Sequence, residues 1–392
     1  MSAPARRTTT TAMDASVNGL RGITLLLIVL THYVPTSFFS GNIARPVAAT
    51  MMVVTGYFLA LILERQGIEA QEPPLTRLRR AISLFAQRHI RIWPAIAGVI
   101  AMYVLLGHWI GDRTTTQIHD TWPLYLAYMG NVVKMIHETE AFPAHFWLIS
   151  AQEQFVLATL LACALLGYRN LKSFLVGAVI VGILARLVGG FLWMPDRPAL
   201  ATETPLAVAD ALALGMLVRM AIVDGTSRTA MRRSLTAAIL LLAAAWALLP
   251  NTWAFYFTLV PLIAALVGCL FITLMTDEMR SHRIEAFMRA WPWLILLGQM
   301  SLSIFLLHPL VNVLLTLGYT AATGLAIDWW LLSLVGPPLS LLVAFLYFRA
   351  VEVPLRQMRR RARSSASIKP PAAPSAALAK TQTAASPTPS TA

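Results

Sequence analysis

The sequence predicts an all-α, polytopic integral-membrane protein of about ten transmembrane helices, with both termini in the cytoplasm. Two features of the composition support this class: 57% of the 392 residues are hydrophobic and only 12% are charged, whereas soluble domains carry about 25% charged residues. In addition, apolar runs long enough to cross a bilayer recur along the whole chain, with short polar segments between them.

Ten of these apolar runs account for the predicted transmembrane helices. Their expected ranges are 19–39, 46–63, 92–110, 146–167, 174–194, 205–222, 234–249, 253–275, 291–317 and 329–348. A half-apolar piece at 122–136 is too short and polar to span a bilayer, so we expect a partial or re-entrant helix on the outer side.

Three domains follow from this pattern. Residues 1–17 form a predicted cytoplasmic tail, and residues 18–356 form the membrane-embedded domain. Residues 357–392 are first basic and then rich in Pro, Ala, Ser and Thr, which predicts a disordered cytoplasmic tail.

The formal charge of +13 comes from basic residues that lie in short clusters between apolar runs. This pattern is typical of residues that set membrane topology and not of a nucleic-acid-binding surface. Of the 31 Lys and Arg residues, 26 fall on the side assigned to the cytoplasm, four fall outside, and Arg186 lies within a predicted span. An excess of Lys and Arg marks cytoplasmic loops. The charge pattern therefore predicts two cytoplasmic termini, a lipid bilayer as the surrounding partner and no nucleic-acid partner.

The first apolar run, NGLRGITLLLIVLTHYVP at 18–35, contains two ionisable residues. Arg21 and His32 are eleven positions apart, so they share one helix face about 16 Å apart along the axis. Ionisable groups in such segments are costly and usually face the protein interior or a water-filled cavity. The alternative is that Arg21 only anchors the cytoplasmic end and His32 only hydrogen-bonds a neighbouring helix.

Six short segments occur in order along 18–356 and carry a family resemblance. They are NGLRG at 18–22 with His32, VVTGYF at 53–58, RHIRIWP at 88–94, WLISAQEQF at 147–155, GQMSLSIFLLH at 298–308 and VEVP at 351–354. Together they resemble the acyltransferase-3 family of integral-membrane O-acyltransferases. Several positions depart from the family pattern. Gln152 replaces a Glu, and Val208 replaces an Arg two residues before Asp210. Thr55 replaces a Ser, and Leu302 and Phe305 stand where Tyr is common.

The resemblance implies transfer of an acyl group, most often acetyl, from cytoplasmic acyl-CoA to a hydroxyl group. The implied acceptor is an extracytoplasmic glycan or glycolipid such as exopolysaccharide or lipopolysaccharide. Acetyl-CoA is then the cosubstrate and the bacterial inner membrane the location. The sequence leaves the oligomeric state open.

Three residues are the candidate catalytic set. A sugar hydroxyl needs a positioned base, and His32 suits that role near neutral pH. The fourth span enters the membrane from the outer side, so Glu153 lies near its outer edge. Glu153 would orient or polarise His32 if the two spans pack together. The alternative for Glu153 is a buried carboxylate paired with an arginine. Arg21 completes the set from the cytoplasmic end of the first span.

The acyl donor needs cationic partners, because arginines bind phosphates through charge-assisted, often bidentate hydrogen bonds. Arg88 and Arg91 lie one turn apart at the expected inner mouth of the third span, where they would clamp the phosphates of acyl-CoA. Arg21 lies at the same predicted membrane level. The alternative is that all three are ordinary positive-inside residues.

Acceptor binding is assigned to His308, Ser303 and Asp210. Hydroxyls such as that of Ser303 more often serve helix packing. A covalent step on Ser150 or Ser303 remains open, but direct transfer assisted by His32 requires fewer assumptions. The other membrane-region histidines (His108, His119, His137 and His145) lack the spacing of a zinc site, so no metal is expected.

Two other functions remain open. One is an acyltransferase with a diffusible acceptor, such as a macrolide or a lipid intermediate. The other is a proton-coupled transporter in which His32, Glu153 and His308 form the relay. No internal repeat with Gly- or Pro-broken helices in matching halves is apparent, which weighs against the transporter.

Overall fold

A computed structural model describes residues 5–35, 43–68, 71–110, 113–137, 143, 145–194, 196–250 and 252–358. Within these ranges the regular structure consists of fifteen α-helices and one π-helical turn. The helices are α1 (Ala5–Tyr33), α2 (Ala44–Gln66), α3 (Pro74–Ile110), α4 (Arg113–Leu126), α5 (Gly130–His137), α6 (Phe146–Leu166), α7 (Leu171–Leu192), α8 (Pro198–Thr202), α9 (Leu206–Val223), α10 (Arg228–Leu248), α11 (Trp253–Met275), α12 (Glu278–Ala290), α13 (Pro292–Gln299), α14 (Ser301–Thr323) and α15 (Trp329–Tyr347), followed by the π-helical turn Phe348–Glu352.

Ten segments of the described chain are long and apolar enough to cross a membrane. Each predicted span coincides with one of them, so the all-α polytopic class is confirmed. The segments are Ala15–Tyr33, Ala44–Gln66, Pro74–His108, Phe146–Leu166, Leu171–Leu192, Pro198–Val223, Arg228–Leu248, Trp253–Met275, Ser301–Thr323 and Trp329–Met358. Positions 36–39 of the predicted first span and 359–392 of the predicted C-terminal tail lie outside the described residues.

Two boundaries differ from the sequence prediction. Helix α3 begins at Pro74 rather than near 92, because its first turns are basic and amphipathic and therefore lie outside the apolar run. The predicted span 291–317 is interrupted at Met300, whose backbone angles (φ −86°, ψ 6°) leave the helix and separate α13 from α14. Hydropathy detects neither boundary, since it registers apolar content and not backbone geometry.

The half-apolar piece predicted at 122–136 is not a single helix. It forms the end of α4 and most of α5, and Tyr128 between them has a positive φ of 58°. A left-handed residue does not continue an α-helix, so α4 and α5 are separate helices.

Helix α1 packs closely against α13, and two glycines make this approach possible. A Cβ added at Gly22 would overlap the carbonyl oxygen of Leu294, and one added at Gly298 would overlap the carbonyl oxygen of Asn18. Small residues at such crossings let membrane helices approach backbone to backbone. The crossing fixes the segment of α1 that contains Arg21.

Candidate functional site

Helices α1 and α14 lie side by side and contact each other at two levels. Near the start of α14, Arg21 donates a hydrogen bond to the hydroxyl of Ser301. Two turns further along α14, the ring of His308 packs against the ring of His32. The predicted pair on α1 therefore occupies two separate sites, which we call the arginine cluster (Arg21, Arg88, Arg91, Arg356, Glu153, Glu352) and the histidine cluster (His32, His145, His308).

The histidine cluster joins three parts of the chain. The ring centroids of His32 and His308 are 4.8 Å apart at an interplanar angle of 60°, and those of His145 and His308 are 5.8 Å apart. His308 is fully buried, while His32 is exposed. The hydroxyl of Tyr33 donates to the carbonyl oxygen of His308 at 2.7 Å, and Asn312 donates to that of His32 at 3.0 Å.

His145 is a member that the sequence prediction left out. It precedes α6 and packs among the rings of Tyr103, Phe146 and Phe305, with centroid distances of 6.4, 4.9 and 5.4 Å. Burial, and secondarily the nearby His32, lower the pKa of His145 to about 3. The ring is therefore neutral at physiological pH. Its position directly before the 147–155 motif was the only signal available in the sequence.

The arginine cluster places four guanidinium groups near one another. Arg91, Arg356 and Arg88 all act electrostatically on Arg21, as does the carboxylate of Glu352. Arg91 and Arg356 are exposed, and Arg21 and Arg88 are half-buried. Like charges this close repel one another unless carboxylates or an anionic ligand balance them. The cluster therefore has the charge and the hydrogen-bond donors that an anionic group requires.

Arg88 and Glu153 form a buried ion pair within this cluster. Arg88 Nε lies 2.7 Å from Oε2 and 3.0 Å from Oε1, and its terminal nitrogen lies 2.6 Å from Oε1. Gln152 donates to Oε1 as well, at 2.8 Å. Glu153 thus contacts an arginine, which was the alternative to orienting His32. Because α3 begins at Pro74, Arg88 lies fourteen residues beyond the start of that helix.

A second carboxylate, Glu352, connects the π-helical turn to the start of α14. Its Oε1 accepts hydrogen bonds from the backbone N–H of Ser303 at 3.1 Å and from the Ser303 hydroxyl. Its Oε2 accepts from Arg356 at 2.7 Å. Ser303, predicted to bind the acceptor, therefore lies with the arginine cluster. Glu352 and Arg356 were not predicted as site residues, although π-helical turns often occur at functional sites.

Asp210 is held by a different partner on α7. Both of its carboxylate oxygens accept hydrogen bonds from Arg186 at 2.5 Å, and Arg186 also donates to the carbonyl oxygen of Ala207 at 2.8 Å. The two side chains are 1% and 4% exposed. This bidentate pair locks α7 against α9 and favours a structural role for the carboxylate.

No group of three or more His, Cys, Asp or Glu side chains in the described ranges is arranged to hold a metal ion. The three histidines of the histidine cluster therefore form a ring-packed group of imidazoles and not a ligand set. An imidazole can accept or donate a proton near neutral pH, which is the chemistry that such a group offers.

Comparison with known protein families identifies the family of this chain. The model of the Acyl_transf_3 family, described as an acyltransferase domain, matches residues 14–349. The chain belongs to the acyltransferase-3 family. A comparison with curated proteins gives no match, and neither does a comparison with solved structures.

This acyltransferase-3 protein is accordingly a multi-pass membrane acyltransferase. The matched range includes the whole histidine cluster and most of the arginine cluster. Glu352 and Arg356 lie just beyond it.

Proposed function

We propose that the protein transfers an acetyl group from acetyl-CoA to a hydroxyl of an extracytoplasmic glycan such as exopolysaccharide or lipopolysaccharide. One observation carries the proposal: α1 contains a residue of the arginine cluster and a residue of the histidine cluster on one rigid element. Arg21 and His32 are about 16 Å apart along its axis. A donor with phosphates at one end and a thioester at the end of a long arm fits that separation.

The arginine cluster is the proposed donor site. Arg21, Arg91 and Arg356 supply guanidinium groups for the phosphates, and Arg88 adds to the positive potential while it holds Glu153. Guanidinium groups suit phosphate binding because they carry several N–H donors in a fixed plane. The excess of Lys and Arg in the loops at this end of α1 supports a cytoplasmic orientation, where acyl-CoA is available.

The histidine cluster is the proposed site of acyl transfer. The acceptor hydroxyl gives its proton to His32, and its oxygen attacks the carbonyl carbon of the thioester. The C–S bond breaks as the new C–O ester bond forms. The imidazolium then returns the proton to the leaving thiolate, so the protein ends the cycle unchanged.

The contacts of the two candidate serines support direct transfer. The Ser150 hydroxyl accepts a hydrogen bond from the Gly130 backbone N–H at 3.0 Å, and the Ser303 hydroxyl donates to Glu352. Across the described residues, neither hydroxyl is hydrogen-bonded to a histidine. An activated serine nucleophile requires such a base within hydrogen-bond reach.

The test compares the O-acetyl content of the host's surface polysaccharide in four strains. They carry the wild-type protein, a deletion, His32→Ala, or the matched control His282→Ala, which removes an exposed histidine of α12. At equal membrane levels we expect acetyl loss in the deletion and in His32→Ala only. Unchanged acetylation in the deletion would reject a glycan acceptor in favour of a diffusible one.

A further inference from the structure

The histidine cluster contains two nitrogen atoms without a hydrogen-bond partner among the residues that the structure describes. They are Nε2 of His145 and Nε2 of His308, and both atoms are buried. Buried polar atoms are nearly always hydrogen-bonded, so each exception requires an explanation. A ligand that supplies the missing partners is one such explanation.

Both nitrogens are hydrogen-bond acceptors. Nδ1 of His308 lies 2.9 Å from the carbonyl oxygen of Ile304, which can only accept, so Nδ1 bears the proton and Nε2 a lone pair. The backbone of Leu306 favours the charged ring of His145, as a carbonyl oxygen beside the ring does. We assign the same tautomer to His145, with the proton on Nδ1 and the lone pair on Nε2, the nitrogen that has no partner among the described residues.

The residues around the two unpartnered nitrogens indicate which kind of ligand would bind there. Aromatic rings pack around His145, namely Tyr103, Phe146 and Phe305, and such walls favour apolar and ring-shaped groups. Two acceptor nitrogens match O–H donors. They do not match carboxylates or phosphates, which offer further acceptors, and an alkyl chain would leave both nitrogens unpaired.

We propose that His145 and His308 form a hydroxyl-binding pair whose Nε2 atoms accept hydrogen bonds from hydroxyls neighbouring the one that is acylated. The acceptor is then a polyhydroxylated carbohydrate and not an alcohol with a single hydroxyl. The inference rests on the proposed function, since it takes His32, which packs against His308, as the base. It adds His145 as an acceptor-binding residue.

The test uses membranes that contain the full-length protein, acetyl-CoA as the donor and de-O-acetylated surface polysaccharide of the host as the acceptor. His145→Leu keeps an apolar side chain but removes the acceptor nitrogen. His145→Gln offers a carbonyl oxygen in its place. His282→Leu, on the exposed surface of α12, is the matched control.

We expect His145→Leu to raise the KM for the polysaccharide about tenfold and to leave the KM for acetyl-CoA within twofold of wild type. His145→Gln should recover most of the lost affinity, and His282→Leu should match wild type. A purely structural role would not be rescued by Gln, and it would change both KM values.

Three results would overturn the inference. The first is a polysaccharide KM in His145→Leu within twofold of wild type. The second is an equal loss in the Leu and Gln variants at equal protein levels. The third is equal transfer by the wild type to a long-chain alcohol with one hydroxyl. Wild-type membranes no more active than deletion-strain membranes would instead overturn the proposed function itself.

Discussion

The arginine and histidine clusters each include one residue of α1 and each contact α14, yet their polar groups are satisfied in opposite ways. In the arginine cluster, Glu153 is bound by Arg88 and Gln152, and Glu352 is bound by Ser303 and Arg356. In the histidine cluster, two buried nitrogens have no partner within the described ranges. The buried carboxylates are thus paired within the protein, whereas we assign the missing partners of the two imidazole nitrogens to a ligand.

This difference predicts that the two clusters contribute differently to fold stability and to activity. The arginine cluster, our proposed donor site, also stabilises the fold, because an ion pair joins α3 to α6 and hydrogen bonds from Ser303 join α14 to the π-helical turn. In the histidine cluster, our proposed site of acyl transfer and acceptor binding, His145 and His308 form no ion pair among the described residues that would hold helices together. Variants at the two clusters should therefore differ in which measured quantity they change.

The largest expected effect is a kinetic split between the clusters. His32→Ala should lower kcat by about 10²–10⁴-fold, the usual contribution of a general base, with little change in the KM for acetyl-CoA. Arg91→Gln should raise that KM about tenfold and retain most of kcat, since it removes a phosphate contact. Steady-state kinetics on membranes measure both parameters.

Arg283→Gln, on the exposed surface of α12, is the matched control for the arginine variant. A similar fall in kcat for His32→Ala and Arg91→Gln would contradict the assignment of donor binding to the arginine cluster and of acyl transfer to the histidine cluster.

The second prediction concerns the buried ion pair. Arg88→Met leaves the carboxylate of Glu153, only 1% exposed, without its cation. Breaking such a pair costs about 3–5 kcal/mol, whereas replacing both partners by apolar residues is often neutral. We expect a large loss of thermal stability in Arg88→Met and recovery in Arg88→Met/Glu153→Leu, measured by thermal unfolding in detergent.

The exposed pair of Lys172 and Asp224 provides the control, because each side chain is 47% exposed. Lys172→Met should change stability by at most about 1 kcal/mol. If the double variant folds but retains a raised KM for acetyl-CoA, Arg88 also contributes to donor binding. Wild-type stability in Arg88→Met alone would show that the pair does not hold α3 to α6.

The third prediction addresses the crossing that positions Arg21. Gly22→Ala places a Cβ against the backbone of Leu294, and backbone cannot rotate away as a side chain does. The expected cost is about 1–3 kcal/mol, with some loss of donor affinity as α1 shifts. Gly177→Ala in α7 meets open space and should be neutral or slightly stabilising. Equal melting temperatures for the two variants would contradict the crossing.

The smallest expected effect is a pH dependence of stability. The folded pKa of His145, about 3, lies below its usual value of 6.5, so between these pH values the unfolded chain binds a proton that the folded protein does not. Its contribution to stability is therefore lost progressively as the pH falls below 6.5. His145→Gln should show a shallower decline of melting temperature between pH 6.5 and 4.5. A decline as steep as that of the wild type would place the ring in a wetter environment.

The sequence predicts the membrane-spanning helices well because the bilayer imposes one strong requirement. Every backbone polar group in the hydrocarbon region must be satisfied internally, so long apolar runs become helices. This rule does not predict the interruption at Met300 or the early start of α3. They depend on how α1 packs against α13 and on basic residues that are also good helix formers.

The candidate site was predictable where it lies within one helix and not where it joins several. Arg21 and His32 share α1, so their spacing follows from helix geometry. The choice of Arg88 as the partner of Glu153, 65 positions away, depends on the packing of α3 against α6. His145 lies in an irregular segment before α6, where hydrophobic periodicity carries no information.

Helix α1 contains Arg21 of the proposed donor site and His32 of the proposed site of transfer. A continuous helix has a fixed rise of about 1.5 Å per residue, so in this proposal it sets the distance between the phosphates of the donor and the atom that reacts. Donors that keep the phosphates but have a shortened arm should bind at the arginine cluster and fail to react, and so behave as competitive inhibitors. Selection of the donor would then rest on its length as much as on its charge.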